Sequence, residues 1–156
     1  MSSEGLKHKY FSLKAKWMVK KQQKEVAKVR LQKNITHCKV AFLTTAGVHL
    51  VDQKPFDVES GDHTVHFIPK EATIDELVVT HTHYDTKAAK EDINCVFPLQ
   101  MLREFEKEGL IGEVSDTHYG MMGFIPRTER LLQESIPIII HQLKKEKVDL
   151  LLASPG

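Results

Sequence analysis

Two histidines and an aspartate stand at alternate positions directly after an apolar run. His81, His83 and Asp85 follow the segment 76–80, ELVVT. In extended backbone, alternate side chains share one face, so these three groups are expected within a few ångströms of one another. Imidazole and carboxylate groups in that arrangement suit proton transfer, recognition of a substrate charge, or metal binding. Their desolvation beside a core strand is costly unless they are paired or face a cleft, which favours a functional role.

The same spacing raises a metal-dependent hydrolase as an alternative. An HxHxD pattern at a strand end is similar to the start of the zinc or iron site in metallo-β-lactamase-like hydrolases. That motif continues Asp-His, whereas Thr86 follows Asp85 here, and no later glycine-flanked His or Asp supplies a second cluster. We therefore predict no metal in this chain and keep the hydrolase as the alternative.

Three apolar runs predict the strands that position these residues. Residues 38–47, CKVAFLTTAG, are typical of a buried parallel strand that leaves into a tight turn. Residues 76–80 predict a second core strand, and 148–154, VDLLLAS, predict a buried strand near the end of the chain. Residues 63–68 alternate as an edge or hairpin strand would, ended by Pro69.

Two helices are predicted between the strands. Pro98 at a first helical position and Gly109 just past the end predict a helix over about 98–108, before a short strand that begins at Leu110. A second helix is predicted over 128–145, with a kink at Pro137, which removes an internal hydrogen bond. The order of elements predicts an α/β fold with three layers, a mostly parallel sheet and flanking helices.

Parallel strands bring their carboxyl ends to one edge, where ligands of open α/β sheets bind. Hydroxyls and turn amides at that edge suit a carboxylate or another small anion. The candidate substrate-binding residues are Thr44, Thr45, Gly47, Ser154, Pro155 and Gly156. The candidate catalytic residues are His81, His83 and Asp85, with His49, His118 and Tyr119 as second choices. For His49 and His118, a loop histidine hydrogen-bonded to backbone is favoured over a catalytic role.

Positive charge is concentrated at the start of the chain. Residues 1–33 carry ten Lys/Arg against two Glu, a net charge of +8, although the whole chain has only +1. Good helix formers over 14–33 predict a basic helix, so we expect a helical segment over 1–36 and an α/β domain over 37–156. A solvated face or an acidic partner subunit explains this charge better than nucleic acid or a membrane, because aromatic residues are sparse.

Other features point to the cytoplasm. No apolar run approaches the ~18 residues of a membrane span, and the first 30 residues lack a secretory signal. The two cysteines, Cys38 and Cys95, are far apart in the sequence and fit reduced thiols. No glycine-rich nucleotide-binding motif follows any predicted strand.

Several linked blocks, in order from about Val40 to Gly156, closely resemble the selenoprotein B family of glycine, sarcosine and betaine reductases. The D-proline reductase selenocysteine subunit is a relative with a weaker likeness. The basic N-terminal segment lies outside this resemblance. The blocks that carry it are VAFLTTAGVHL, FDVESGDHTVHFIP, LVVTHTHYDTKAAKEDINCVFPLQMLREFEKEGLIGEV, HYGMMGFIP and VDLLLASPG.

The resemblance implies a selenocysteine immediately after Gly156, encoded by UGA, so we expect the α/β domain to be incomplete and inactive alone. It implies reductive cleavage of a carbon–nitrogen bond, in which a selenolate attacks the substrate α-carbon. It also implies a pyruvoyl group on a partner subunit and transfer to a carrier selenoprotein, or, in the proline enzyme, a selenide-sulfide that a dithiol reduces. No cofactor is expected in this chain, which is expected to be part of an oligomer. A non-catalytic assembly module remains a further alternative.

Overall fold

The computed structural model describes residues 29–82 and 84–155. Its strands and helices belong to a unit that starts at Leu31. The strands are β1 Lys39–Thr44, β2 Val48–Leu50, β3 Val65–Pro69, β4 Leu77–Val79, β5 Glu113–Val114, β6 Thr117–Met121 and β7 Leu150–Ser154. The helices are α1 Lys87–Glu91, α2 Leu99–Lys107, α3 Thr128–Arg130, a π-helical turn Leu131–Ser135 and α4 Ile136–Lys145.

β1 is the central strand of the main sheet. It pairs in parallel with β7 along one side, and with β5 and then β6 along the other. β3 pairs antiparallel with β6 and forms the edge, where Pro69 is tolerated because its missing N–H interrupts no ladder. The predicted α/β class is confirmed, with a mixed sheet and flanking helices.

Apolar side chains cover both faces of β1, because successive residues of a strand point to opposite sides. Val40 and Phe42 belong to a cluster with Phe97 and the start of α2, and the rings of Phe42 and Phe97 meet edge to face at 5.6 Å. Ala41 lies on the other face, in a cluster with Ile139 of α4. The two helices therefore pack against opposite faces of the strand that leads to the site.

The prediction that residues 76–80 form a second core strand of the parallel sheet is wrong. Leu77–Val79 instead pairs antiparallel with Val48–Leu50 in a separate two-stranded sheet. The reversal follows from Gly47, whose φ of 78° turns the chain sharply after β1. The Gly47 carbonyl then accepts a hydrogen bond from Thr80 N at 2.9 Å, which returns the end of β4 to the end of β1.

The other predicted elements occur with shifted details. The helix over 98–108 is observed as α2, whereas the short strand expected from Leu110 starts later, as β5. The predicted helix over 128–145 is interrupted by the π-helical turn, and α4 begins after it. Pro137 therefore lies in the first turn of α4, where its missing N–H costs little and no kink is needed. β7 forms as predicted but is not fully buried, since Leu152 is 38% exposed.

The predicted basic helix lies largely outside the described residues, which begin at residue 29. Residues 29–33, its last part, are described and are not helical, so the helix does not extend to Lys33. Within the described ranges, no helix is long and apolar enough to cross a membrane.

Glu146, just after α4, fastens the irregular junction between β5 and β6. Its carboxylate accepts hydrogen bonds from the hydroxyls of Ser115 and Thr117, both at 2.5 Å, and from Gln142 Nε2 at 2.6 Å. Burial acts to raise the pKa of Glu146, but these hydrogen bonds outweigh it and the pKa is lowered. The ionised carboxylate is therefore the form that holds the junction together.

Glu146→Gln is expected to lower the free energy of unfolding by about 2 kcal/mol at neutral pH, because the amide is a weaker acceptor and opposes one donor with its own N–H groups. Urea denaturation measures this loss. Glu104→Gln is the matched control, since Glu104 lies exposed on α2 and its carboxylate accepts one hydrogen bond among the described residues, from Gln100 Nε2 at 3.3 Å. It should change stability by less than about 0.5 kcal/mol, and equal losses in both variants would contradict the assignment.

Candidate functional site

The carboxyl end of β1 meets the ends of β6 and β7 at one edge of the main sheet. Thr45 N donates to the carbonyl of Ser154, the last residue of β7, at 3.0 Å. Gly47 N donates to the carbonyl of Met121, the last residue of β6, at 2.8 Å. This edge is where ligands bind in open α/β sheets, so it is the candidate site.

The turn after β1 uses its own amides to hold the edge together. Besides the amides of Thr45 and Gly47, Ala46 N donates to Thr44 Oγ1 at 3.1 Å. Thr44 is fully buried, so its hydroxyl has a structural contact and no exposure to ligand. The predicted recognition of an anion by these turn amides is therefore not supported, because all three amides have partners within the protein.

His81 reaches this edge through the small two-stranded sheet. Its ring packs on the Tyr84 ring with the centroids 4.7 Å apart, and the Tyr84 hydroxyl donates to the Ala46 carbonyl at 3.1 Å. A Cβ placed on Gly123 would lie 3.6 Å from both His81 Nε2 and Thr45 Oγ1. We call the group Thr45, His81, Tyr84, Gly123 and Ser154 the rim.

Tyr84 and Gly123 are not among the predicted site residues. The available signals are weak: Tyr84 lies between two candidates in the HTHYD segment, and Gly123 ends the glycine-bearing stretch after β6.

Gly47 has a role that its position alone does not reveal. A Cβ at Gly47 would lie 2.2 Å from the Thr80 carbonyl oxygen, so only glycine lets the segment that carries His81 approach β1.

The remaining predicted residues near the rim are placed as follows. Asp85 is exposed, and its Oδ1 accepts a hydrogen bond from Lys87 N at 3.0 Å at the start of α1. Ser154 Oγ donates to the Pro155 carbonyl at 3.2 Å, and Pro155 is exposed. His83 and Gly156 lie outside the described residues, so their proposed contributions stay predictions.

His49 is buried beneath the segment that leads to the rim, and its side chain is not exposed at the rim. The side chain is 2% exposed, with Nδ1 2.7 Å from the Leu50 carbonyl and Nε2 2.8 Å from Thr80 Oγ1. A carbonyl can only accept, so Nδ1 carries the proton and, in the neutral imidazole, Nε2 accepts from the Thr80 hydroxyl. His49 thereby fixes the residue directly before His81.

His118 replaces a missing main-chain partner of β1. Between the pairs Val40–Val114 and Leu43–Tyr119, the chain opposite β1 contains more residues than β1 does, so the backbone pairing is interrupted. Phe42 lies in this interval, and its N–H donates to His118 Nδ1 at 3.0 Å. The ring is fully buried, and this burial lowers the pKa of His118 to about 4. The structure therefore does not bring this second-choice residue to the surface of the rim.

Tyr119 is also fully buried, with its ring 5.8 Å from that of Phe67. Burial raises its pKa to about 12. Its hydroxyl has no hydrogen-bond partner among the residues the structure describes. A neutral phenol enclosed in this way cannot reach a ligand at the rim without local opening.

Tyr119→Phe is expected to leave the free energy of unfolding within about 0.5 kcal/mol of the parent, or to raise it, because an unbonded buried hydroxyl stabilises nothing. Thermal and urea unfolding measure the change. Tyr84→Phe is the matched control and should lose about 1 kcal/mol, since that hydroxyl donates to Ala46. A larger loss in Tyr119→Phe than in Tyr84→Phe would show that Tyr119 Oη has a partner.

Across the described ranges, no group of three or more His, Cys, Asp and Glu side chains is arranged to hold a metal ion. The HxHxD trio is not tested by this finding, because His83 is outside those ranges. Cys38 is buried, whereas Cys95 is exposed; both are free thiols, as predicted from their spacing.

A family described as glycine/sarcosine/betaine reductase selenoprotein B matches residues 6–155. This match confirms the resemblance found from the sequence blocks. It also starts well before Val40, so it includes the basic N-terminal segment that we expected to lie outside the resemblance. No solved structure is significantly similar to the chain.

Curated relatives agree with the family match, but the expectation that D-proline reductase shows the weaker likeness is wrong, since it is more similar to this chain than the betaine and glycine reductase subunits described below. D-proline reductase subunit gamma of Acetoanaerobium sticklandii is 36% identical over 124 residues, which cover 80% of this chain and 51% of that protein. Betaine reductase complex component B subunit beta of Peptoclostridium acidaminophilum is 30% identical, covering 75% of this chain and 28% of that protein. Glycine reductase complex component B subunit gamma of Carboxydothermus hydrogenoformans is 30% identical over 58% of this chain. The chain thus matches about half of the length of the D-proline reductase subunit, and 28% and 22% of the lengths of the betaine and glycine reductase subunits.

Proposed function

Because this chain belongs to the glycine/sarcosine/betaine reductase selenoprotein B family, we propose that it is a subunit of a selenocysteine-dependent reductase. The proposed reaction is cleavage of the carbon–nitrogen bond of glycine, sarcosine, betaine or a related amino acid, proline included. The relatives named for D-proline, betaine and glycine support this substrate class. The proposed location is the cytoplasm.

The observation that carries the proposal is the place where β7 ends. Its last residue, Ser154, is hydrogen-bonded to Thr45 at the rim, beside His81. The family resemblance puts selenocysteine after the Pro-Gly turn that follows this strand. A nucleophile at that position would lie close to an imidazole and a hydroxyl, which are suitable neighbours for an anionic selenium atom and a charged substrate.

Selenocysteine would supply the nucleophile for carbon–nitrogen cleavage, and a pyruvoyl group on a partner subunit would supply an electrophile for the substrate amine. In this chain, we assign His81 the exchange of a proton or the recognition of substrate charge at Nε2. Thr45 Oγ1 is assigned the orientation of the same substrate group, because both atoms would lie 3.6 Å from a Cβ at Gly123. His81 Nε2 is buried among the described residues, so this role requires the rim to open around it. His83 and Asp85 are proposed to assist His81 in these roles. A carrier selenoprotein is proposed to accept the adduct formed on selenium.

The gene sequence after the Gly156 codon gives the first test. An in-frame TGA followed by an open reading frame that encodes a cysteine-containing continuation is the expected result. A TAA stop or an ordinary sense codon directly after Gly156 would count against the proposed nucleophile position.

The decisive test is activity of the protein with selenocysteine or cysteine restored after Gly156, assembled with its pyruvoyl-containing partner. We expect dithiol-dependent reduction of at least one amino acid among glycine, sarcosine, betaine and D-proline. His81→Ala should reduce kcat by about 100-fold or more, as expected for loss of a proton-transfer group. His141→Ala is the matched control, since His141 is exposed on α4, and it should leave the rate unchanged.

The two alternatives predict different results. A non-catalytic assembly module predicts no reduction of any of these amino acids by the restored protein, although the complex still forms. A metal-dependent hydrolase predicts stoichiometric zinc or iron in the purified chain, lost when His81 and His83 are both replaced. Either result would overturn the reductase assignment.

A further inference from the structure

β7 has a neighbouring strand on one of its two sides. All five of its residues, Leu150–Ser154, pair in parallel with β1 in a regular register. On the side away from β1, no strand in the part of the chain that the structure describes pairs with β7. We call this side of Leu150–Ser154 the open edge.

The main-chain groups that face the open edge follow from the alternation along a strand. The Ser154 carbonyl points toward β1, where it accepts a hydrogen bond from Thr45 N at 3.0 Å. In a strand, the N–H and carbonyl of one residue point to one side, and those of the next residue point to the other. Leu151 and Ala153 therefore direct their N–H and carbonyl groups to the open edge, as pairing with a further strand requires.

The side chains of β7 are apolar and more exposed than those of its neighbour. Leu152 is 38% exposed, whereas its partner Phe42 is 7% exposed. Ala153 is also exposed, and Leu151 is half-buried. Strands of a parallel sheet are normally covered on both faces, so an apolar strand with this exposure is typical of an incomplete sheet.

The opposite edge of the main sheet is protected in ways that the open edge is not. At β3, the Phe67 carbonyl accepts a hydrogen bond from Gln53 Nε2 at 3.0 Å, and the strand ends at Pro69. A covering loop and a proline both hinder pairing with another strand. The five residues of β7 contain no charged side chain and no proline, and their register with β1 has no bulge. The open edge therefore has the features of a strand interface.

We propose that the open edge is the docking surface for the polypeptide that follows Gly156, and that one strand of this polypeptide pairs in parallel with β7. The inference rests on the proposed function, in which selenocysteine and further residues follow Gly156. The length of the relatives supports this occupant, because nearly half of D-proline reductase subunit gamma lies outside the stretch that matches this chain.

The direction of the pairing follows from the way in which strands are connected. β7 ends at the rim, so a continuation leaves from its carboxyl end and reaches a parallel position beside β7 by crossing back over the sheet. β6, α4 and β7 already form such a connection, in which a helix joins two strands that are both parallel to β1. A crossover helix that begins after Gly156 would also place its amino end next to the proposed selenolate, whose negative charge it stabilises.

NMR-detected hydrogen exchange tests the proposal by comparing the 156-residue chain with a longer chain, which has cysteine after Gly156 and the residues encoded downstream. The Leu151 and Ala153 amides should exchange at least about 100-fold more slowly in the longer chain. The Gly47 amide, bonded to Met121 in the same sheet, is the internal control and should slow by at least about tenfold less. Equal slowing of all three amides would overturn the proposal, since general stabilisation would then explain it.

Ala153→Pro provides a second, independent test. Proline removes the Ala153 N–H, which faces the open edge, so the midpoint of urea unfolding should fall by about 1 M or more in the longer chain and much less in the 156-residue chain. Leu152→Pro is the matched control, because the Leu152 N–H faces β1, and it should lower the midpoint in both chains. An equal effect of Ala153→Pro on the two chains would contradict the proposed pairing.

The same experiments separate this inference from the proposed function. Fast exchange at Leu151 and Ala153 in a longer chain that reduces amino acids would overturn the docking surface and leave the function standing. Slow exchange in a longer chain that reduces none of them would support the docking surface and count against the function. A gene without an open reading frame after the Gly156 codon would overturn both.

Other occupants of the open edge give different results, each of which would overturn the proposal. Slow exchange at Leu151 and Ala153 that develops in the 156-residue chain with rising concentration would identify a second copy of this chain. Slow exchange in that chain at every concentration would identify another of its own segments. Slowing that occurs only when the pyruvoyl-containing subunit is added would identify a strand of that subunit.

Discussion

Gly120→Ala is expected to lower the free energy of unfolding by more than about 3 kcal/mol, a large part of the roughly 5–15 kcal/mol that stabilises a typical domain. Gly120 lies on β6 opposite Thr44, and a Cβ there would lie 1.8 Å from the Val48 carbonyl oxygen. Backbone atoms cannot yield as a flexible side chain does, so β2 would have to separate from the main sheet. Circular dichroism and urea denaturation measure the loss.

Gly123→Ala is the matched control for this prediction. A Cβ at Gly123 would come no closer than 3.3 Å to the protein, at the Thr45 carbonyl oxygen, and its φ does not require glycine. We expect its stability to stay within about 1 kcal/mol of the parent. If Gly120→Ala unfolded at the same urea concentration as Gly123→Ala, the close packing of β2 on β6 would be disproved.

Acidification from pH 6.5 to pH 4 is expected to remove about 3 kcal/mol of stability through His118 alone. Burial lowers the pKa of His118 from 6.5 to about 4 in the folded chain. Below pH 6.5 the unfolded chain takes up a proton that the folded chain does not bind until about pH 4, so stability falls across this interval. Above pH 6.5 the full contribution is present.

His118→Gln isolates this contribution from that of the carboxylates, which also titrate at low pH. Glutamine has a carbonyl oxygen that can accept the Phe42 N–H in place of Nδ1, but it has no titration in this range. The unfolding free energy of the parent, minus that of the variant, should fall by about 3 kcal/mol as the pH falls from 6.5 to 4. A difference that is constant with pH would contradict the depressed pKa.

Elements with a long or well-bounded pattern were predictable from the sequence. The apolar run of β1, the Pro98 and Gly109 boundaries of α2, and the run of β7 each contain several agreeing local signals. β4 was placed in the wrong sheet because a three-residue apolar run fits a core strand and a small antiparallel strand equally well. Its partner is decided by the turn at Gly47, where the contact with Thr80 joins residues distant in the sequence.

The position of the candidate site in the fold was predictable from the sequence, but the contacts of its individual residues were not. His81, Thr45 and Ser154 do meet at the carboxyl edge of β1. His49 and His118 carry the same chemistry in the sequence, yet their imidazoles hold the hydroxyl of Thr80 and the amide of Phe42. Residue type cannot separate a buried scaffold histidine from a reactive one, because only the three-dimensional partners differ.

The committed amides of the turn after β1 have a consequence for how the family could diversify. The amides of Thr45 and Gly47 join β1 to β7 and β6, and the amide of Ala46 bonds the Thr44 hydroxyl, so a ligand at this edge has to be recognised by groups other than these amides, side chains above all. Point substitutions of these side chains break none of the hydrogen bonds that hold the turn, so the architecture should stay unchanged. Chimeras that exchange only those side chains between relatives should therefore keep their fold and trade their preferences.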